Sequence, residues 1–451
     1  MMAGPVVVAE CDGLATLQHQ PRPQHQKHMP APTPTLVASS VTSIPQLHKV
    51  LRKYRQAMSW DSLGHLAKAA LASAPTTPWS AVKWVFARVT LMLRLTGVLL
   101  SYLGLGYHWA IDFWRFVAYT MLLLPGFLPM IVFYFFSPRV IRNVAYGSGP
   151  RQTLDWYLPR HGKPCQRYPV VIYVTGGAWS IGYKAWGAIL AERLSAAGAL
   201  VATIDYRNFP QGNALDMLQD VNTGISWICS QCGLYGGDPG NVVLVGQSAG
   251  GHLATLALMR QAEWMASGVS TEQGWPAWDP TDVRAFICVS GAYDMAGLAD
   301  HLRNRGLYRD VFAQVLAWRG APSMAQLSPL RVARSWASAA SPAAFMPSVM
   351  LVHGTADKSV PCSQARALHE ALVQAGVDST CRLVKRATHT LFLLEGPMLG
   401  GKDPLMELML PVIFGQPRGQ EGSEAGPLLP TLYRQLCPAV LCTLAGLVCP
   451  F

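Results

Sequence analysis

The sequence predicts an α/β fold, a mainly parallel sheet with helices on both faces. The first observation behind this is six short apolar runs: Val170–Val174, Val201–Asp205, Val242–Val245, Ala285–Val289, Val349–Val352 and Arg382–Val384. They alternate with longer stretches of helical spacing, as that architecture requires. The second is Val242–Met259, VVLVGQSAGGHLATLALM, in which a strand, a sharp turn and a helix follow one another without a gap. The third is the chain order of a serine, an aspartate and a histidine, each placed just after one of these runs.

Gly246-Gln247-Ser248-Ala249-Gly250 is a G-x-S-x-G elbow in the strand-turn-helix setting that it needs. The glycines give the turn room that side chains would take, and the serine hydroxyl projects above the sheet edge. An elbow of this kind identifies an α/β-hydrolase fold and predicts three further parts. Upstream, Pro169–Val174 runs into Thr175-Gly176-Gly177-Ala178-Trp179. Backbone N–H groups of Gly176 and Gly177, joined by that of Ala249, are the expected oxyanion donors, each worth about 3–4 kcal/mol of barrier. Downstream, Ser348–Gly354 ends in a loop bearing Asp357, the expected orienting acid. Thr380–Val384 leads to Thr388-His389-Thr390, and His389 is the expected general base toward Ser248.

Other residues compete for these roles. His353 closes a strand beside Asp357 and His252 sits on the helix after the elbow; both read as packing or hydrogen-bonding residues. Asp238, Asp294 and Glu395 are rival acids in less suitable positions, with Asp294 suited to capping a helix or lining the pocket. The histidines lack metal-ligand spacing such as H-E-x-x-H, and no metal or other cofactor is expected. Cys229 and Cys232 form a C-x-x-C within a helical pattern, where a redox role is not expected.

Three blocks carry a family resemblance: VTGGAWSIGYKAWG (Val174–Gly187), IDYRNFPQGNALDMLQDV (Ile204–Val221) and YGGDPGNVVLVGQSAGGHLA (Tyr235–Ala254). Together they resemble the plant isoprenylcysteine methylesterases, α/β-hydrolases related to the hormone-sensitive-lipase and arylformamidase branches. The resemblance runs from about Asn143 to Phe414. Thr175 stands where related carboxylesterases place a histidine, and Leu391 follows Thr390 where the family has an aspartate. The resemblance implies hydrolysis of the α-carboxyl methyl ester on a prenylated C-terminal cysteine, with a prenylated protein or prenylcysteine methyl ester as substrate. A broader carboxylesterase, an arylformamidase-like amidase and an inactive membrane scaffold on the same fold are the alternatives.

Composition points to a lipid membrane as partner. Of the 451 residues, 51% are hydrophobic and only 14% charged, and the apolar excess lies between Trp84 and Phe136. Leu95–Ile111 and Phe116–Ser137 are free of Asp, Glu, Lys and Arg, and two transmembrane helices are expected in residues 81–142, with a pair of buried helices packed on the hydrolase or a re-entrant hairpin as the alternative. Asp112 and Arg115 would lie in their connection, and basic residues on both flanks favour a cytosolic catalytic part. That placement matches a multi-pass protein of the endoplasmic reticulum or Golgi membrane. The net charge of +11 is spread rather than concentrated in a run, so anionic lipid rather than nucleic acid is the expected counterpart.

The remaining stretches are a polar region over 1–80, Pro- and His-rich over 1–50 and expected to be disordered, and a linker with an apolar tail over 415–451. The catalytic domain is assigned to 143–414. The N-terminus lacks a charged start followed by an apolar core, so no secretory signal is expected.

Overall fold

The computed structural model describes residues 107–161, 166–268, 274–305, 309–318, 321–322, 324–336, 342–415 and 433–451, with Trp79 and Thr90 besides. The expected polar region over 1–80, the first expected span over Leu95–Ile111 and most of the linker after Gly415 lie outside the described residues, save Trp79 and the last residues of that span.

Helix α1 (Tyr107–Phe136) precedes an eight-stranded sheet. The strands are β1 (Val140–Ala145), β2 (Thr153–Tyr157), β3 (Tyr168–Val174), β4 (Leu200–Ile204), β5 (Gly237–Gln247), β6 (Val283–Val289), β9 (Ser348–Gly354) and β10 (Ser379–Val384). A separate two-residue ladder joins β7 (Ala317–Trp318) to β8 (Ala321–Pro322). The large sheet runs β1-β2-β4-β3-β5-β6-β9-β10, antiparallel at β1/β2 and β2/β4 and parallel from β4 onward. All six runs expected as strands are strands, and the fold is an α/β-hydrolase fold.

Covering both faces makes the central strands apolar on alternate and intervening positions alike. On β5, Val242 and Leu244 enter one core while Val243 and Val245 enter the other. The first core is closed by α3 (Ala214–Gln231), α4 (Ala249–Ser267) and α8 (Ser363–Gln374), following α2 (Ala188–Ala196) and preceding α10 (Pro404–Phe414) in the chain. Those last two, with α1 and α11 (Ala439–Val448), close the second. Between β6 and β9 run α5 (Met295–Asn304), α6 (Arg309–Val315) and α7 (Pro329–Ser335); α9 (Glu395–Leu399) follows β10.

Two buried ion pairs tie this second face together. Arg193 of α2 pairs with Asp403, which also caps α10 by accepting from the N–H groups of Leu405 and Met406. Asp155 of β2 takes Lys184 Nζ at 2.8 Å, Tyr134 Oη of α1 at 2.7 Å and the N–H of Asn143 at 2.7 Å. Asn143 sits at φ 61° in a β1 irregularity, and Lys184 Nζ also donates to its side chain at 2.7 Å.

One membrane expectation is corrected. Asp112 and Arg115 do not form a connection between two helices: α1 runs through both of them, where they pair at 3.6 Å one turn apart. The second expected span thus begins nine residues earlier than Phe116, at Tyr107. Among the described residues one helix, over Ile111–Phe136, is long and apolar enough to anchor a protein in a membrane.

Candidate active site

Parallel pairing brings the carboxyl ends of β3, β5, β9 and β10 to one rim of the sheet. Val174 pairs with Gly246, Gln247 with Val289, Val289 with Val352 and Val384 with Gly354. Loops leaving that rim carry Gly176 and Gly177, Ser248, Asp357 and His389. This is where open α/β sheets place their ligands.

Ser248 stands between β5 and α4 at φ 53°, ψ −122°, a conformation that L side chains rarely adopt. Its backbone N–H donates to Val289 O at 3.0 Å and its carbonyl accepts from His252 N–H at 3.0 Å, so strand and helix hold the strained residue from both sides. A side chain at Gly250 would place its Cβ 2.2 Å from Val174 O, and one at Gly246 would come within 2.7 Å of Gly251 Cα. The two outer glycines of the elbow are required by that backbone contact.

The three residues expected as nucleophile, base and acid form one chain of hydrogen bonds. Ser248 Oγ lies 2.8 Å from His389 Nε2, and His389 Nδ1 lies 2.7 Å from Asp357 Oδ2. With Asp357 ionised, Nδ1 carries the proton and Nε2 accepts from the hydroxyl. The carboxylate is saturated with donors: Oδ1 accepts from the N–H groups of Ser359 and Val360, both at 2.9 Å. Burial raises the Asp357 carboxyl, but the His389 charge and the bonds from His353 and His389 outweigh it and hold the group well below 3.8.

His353, a rival base in the sequence, is instead a second support for the acid. Its Nε2 lies 3.1 Å from Asp357 Oδ2 and 2.9 Å from Val360 O, away from Ser248. Among the rival acids, Asp294 precedes α5, with its backbone N–H and that of Tyr293 on Gln364 Oε1. Asp238 accepts from Gly240 N–H near the start of β5. Glu395 lies behind His389, where its Oε1 accepts from Thr390 Oγ1 at 2.9 Å.

The glycine pair lies directly against the nucleophile: a Cβ on Gly176 would be 2.9 Å from Ser248 Cβ. Its N–H, however, is taken by Gln247 Oε1 at 3.1 Å, and this removes Gly176 from the free donors. Among the described residues, the N–H groups of Gly177, Ala178 and Ala249 have no acceptor within the protein. Gly177 has φ 135°, and a Cβ there would meet Gly182 N at 2.4 Å; Ala178 and Trp179 follow with φ of 48° and 58°. Nothing in the sequence marked Gln247 or Ala178, because the elbow leaves its second position free.

This strained loop is fastened by His252. Trp179 Nε1 donates to His252 Nδ1 at 3.1 Å, so His252 Nε2 carries the proton and donates to Leu327 O at 2.7 Å. The ring is fully buried; burial lowers its pKa from 6.5 to about 4, against the raising effect of the Leu327 bond. A base whose folded pKa is depressed keeps its stabilisation above 6.5 and loses it as pH falls toward 4. Protonation would also remove the acceptor that holds Trp179. Urea unfolding of the wild-type protein at pH 7 and pH 4 is therefore expected to show a loss that includes about 3 kcal/mol from this group, at 1.36 kcal/mol per unit. His252→Phe should flatten the profile between those limits; an unchanged pH dependence would refute the assignment.

Cys229 ends up in the last turns of α3, and burial pushes its thiol up to about 12, far from the range of reactive thiolates.

Comparison with known proteins adds relatives to this geometry. The BD-FAE family model matches residues 154–372. A protein of Oryza sativa subsp. japonica named "Probable isoprenylcysteine alpha-carbonyl methylesterase ICMEL1" is 42% identical over 361 residues, 80% of this chain and 82% of its own. The "Isoprenylcysteine alpha-carbonyl methylesterase ICME" of Arabidopsis thaliana is 39% identical over 365 residues, 81% of this chain and 82% of its own. A solved structure, a truncated carbohydrate esterase from gut microbiota, superposes with a TM-score of 0.45 at 26% identity, over 55% of this chain and 88% of that one. This protein is a carboxylic-ester hydrolase, and it belongs to the isoprenylcysteine alpha-carbonyl methylesterase family.

Proposed function

We propose that the protein is a membrane-bound serine hydrolase that removes the methyl ester from a C-terminal isoprenylcysteine. Its substrate is a prenylated protein or a prenylcysteine methyl ester. The observation that carries the chemistry is the continuous Ser248–His389–Asp357 bond chain at 2.8 and 2.7 Å; the relatives' names supply the substrate class.

In this reading His389 Nε2 takes the Ser248 proton as Oγ attacks the ester carbonyl. Asp357 keeps the imidazole in the reactive tautomer and stabilises the imidazolium that forms. The N–H groups of Gly177, Ala178 and Ala249 receive the developing oxyanion, while Gly176 shapes the loop through Gln247. His389 then protonates departing methoxide, so methanol leaves and an acyl-enzyme remains. Water, deprotonated by His389, attacks that ester and releases the free carboxylate with Ser248 restored. Prenylated cysteines are presented at cytosolic membrane faces, and we place the catalytic part on the cytosolic side of an endoplasmic reticulum or Golgi membrane.

Hydrolysis rates on a farnesylcysteine methyl ester, its non-prenylated counterpart and a formyl-anilide test the reading. The prenylated ester is expected to give the highest kcat/KM, with all ester turnover lost in Ser248→Ala. Equal rates on both cysteine esters would make the enzyme a broader carboxylesterase, and preference for the anilide would make it an amidase.

A further inference from the structure

Helix α1 has two faces with different commitments. Tyr119, Leu123, Met130 and Tyr134 are buried against the hydrolase, and Gly126 is so close that a Cβ would stand 2.8 Å from Met398 Sδ and 3.0 Å from Cys437 Cβ. These positions recur every three or four residues and so form one stripe. They cover sixteen residues, fifteen rises of 1.5 Å or about 22 Å of helix. Polar bonds pin both ends of the stripe: Tyr119 Oη donates to Thr390 Oγ1 at 3.0 Å, and Tyr134 Oη to Asp155 Oδ2 at 2.7 Å. Trp114, Met121, Leu128 and Phe135 recur every seven residues and are 67%, 61%, 55% and 51% exposed. Met121 and Leu128 each lie two residues, roughly 200° of helical rotation, from pinned neighbours on either side.

The apolar tail extends that outer face. Cys442 and Ala445 of α11 pack inward on the core shared with α1, while Val440 and Leu447 point outward. Beyond α11 the chain is held beside the active-site loops. Arg115 Nε donates to Val448 O at 3.3 Å, and Phe451 meets the rings of Phe116 and Tyr119 edge-on, each at 5.8 Å. Arg305 donates both to Pro450 O and to the carbonyl of Lys358, the neighbour of Asp357.

We propose that α1 and α11 form one lipid-binding face that lies in the plane of the membrane, and that α1 does not cross it. A bilayer core is about 30 Å thick. A helix fastened along about 22 Å of a folded enzyme cannot enter that core end-on without dragging polar protein surface with it. Lying flat, α1 meets the hydrocarbon with its outer face only, as monotopic helices do. Bilayer rather than protein is the occupant because of the charges. Residues 116–137 hold no Asp, Glu, Lys or Arg, whereas Arg139 and the exposed Arg142 follow at once. Arg142 lies over the rings of Tyr134 and Phe135 at 5.7 and 5.3 Å, an aromatic and cationic border suited to anionic headgroups. The inner side of α1 touches the loop of His389 through Tyr119 and Thr390, so a helix lying on the bilayer keeps that loop near its surface, where a lipid-anchored ester is held. This last step rests on the proposed substrate; the membrane geometry does not.

The test uses the full chain and vesicles of phosphatidylcholine with phosphatidylserine. An environment-sensitive fluorescent residue placed at 114, 121, 128 or 135 is quenched by lipids labelled at known depths. The in-plane face predicts one shallow depth for all four positions. A profile deepest near the middle of the helix, with shallow ends, would mean that α1 spans, and absence of quenching would mean that the face does not meet lipid; either overturns the proposal. Met121→Glu/Leu128→Glu is expected to weaken vesicle binding at least tenfold while turnover of a short soluble ester stays within twofold, which also shows that the variant folds. Unchanged binding would overturn the proposal too. Shallow, uniform depths together with no preference for prenylated esters would leave the lipid face standing and discard the substrate reading.

Discussion

Asp357→Asn is expected to lower kcat for ester hydrolysis by about 10⁴-fold, with folding retained. The reason lies in the donors around the carboxylate. His389 Nδ1 meets Oδ2 at 2.7 Å, while Oδ1 is already committed to the N–H groups of Ser359 and Val360. An asparagine must keep its carbonyl oxygen on those two backbone donors, which turns its NH₂ toward His389. Imidazole answers by presenting an unprotonated Nδ1, and Nε2 then bears the proton and can no longer accept from Ser248. Single-turnover and steady-state rates on one ester would check this. A loss below tenfold would mean that the acid does not set the tautomer. The companion expectation concerns acid stability. Because the folded carboxyl sits well below 3.8, its contribution is complete above that value and fades as pH falls beneath it.

Lys184→Met is expected to cost about 3–5 kcal/mol of stability, the range for removing one partner of a buried pair. Lys184 and Asp155 are both fully buried, with Nζ 2.8 Å from Oδ1. Nζ also donates to Thr153 Oγ1 at 3.0 Å, so its removal strips three acceptors at once: Asp155, Asn143 and Thr153. Asp155 would keep only Tyr134 Oη and the Asn143 N–H as partners. Urea unfolding at neutral pH measures the effect. Adding Asp155→Leu should recover only part of it, since that change leaves the Tyr134 hydroxyl and the Asn143 N–H unpaired. Full recovery, or a loss under 1 kcal/mol, would show that the pair is not what joins α1 to the sheet edge.

Central strands and the residues on their loops were legible because both signals are local. A parallel strand covered on two faces is apolar without interruption, and an elbow encodes its own strain in glycines. β1 and β2 escaped notice for the converse reason. β1 is mostly exposed along Ile141–Asn143 and carries an irregularity there, so neither a period of two nor a continuous apolar run marks it. In α1 the acidic and basic pair Asp112/Arg115 read as a break between two apolar segments. In the folded chain it is an i, i+3 pair on one helix, something that spacing alone does not separate from a loop. Gln247, His252 and His353 were the hardest to read. Gln247 acts from a position that the elbow pattern leaves open, on Gly176 N–H, and His252 acts on Trp179, 73 residues away; His353, four residues before Asp357, fits its reading as a hydrogen-bonding residue, but not the specific bond to the acid.

Nucleophile and base sit at very different depths in the sheet. Ser248 follows β5, a strand paired on both sides, whereas His389 follows β10, an outermost strand whose far edge has no partner among the described residues. Sheet margins open more readily than centres do. Proton transfer between the two side chains thus depends on a loop at one margin of the sheet, and fraying there is expected to silence the enzyme while the sheet's interior is still folded. Heat inactivation is therefore expected to precede the loss of the central sheet.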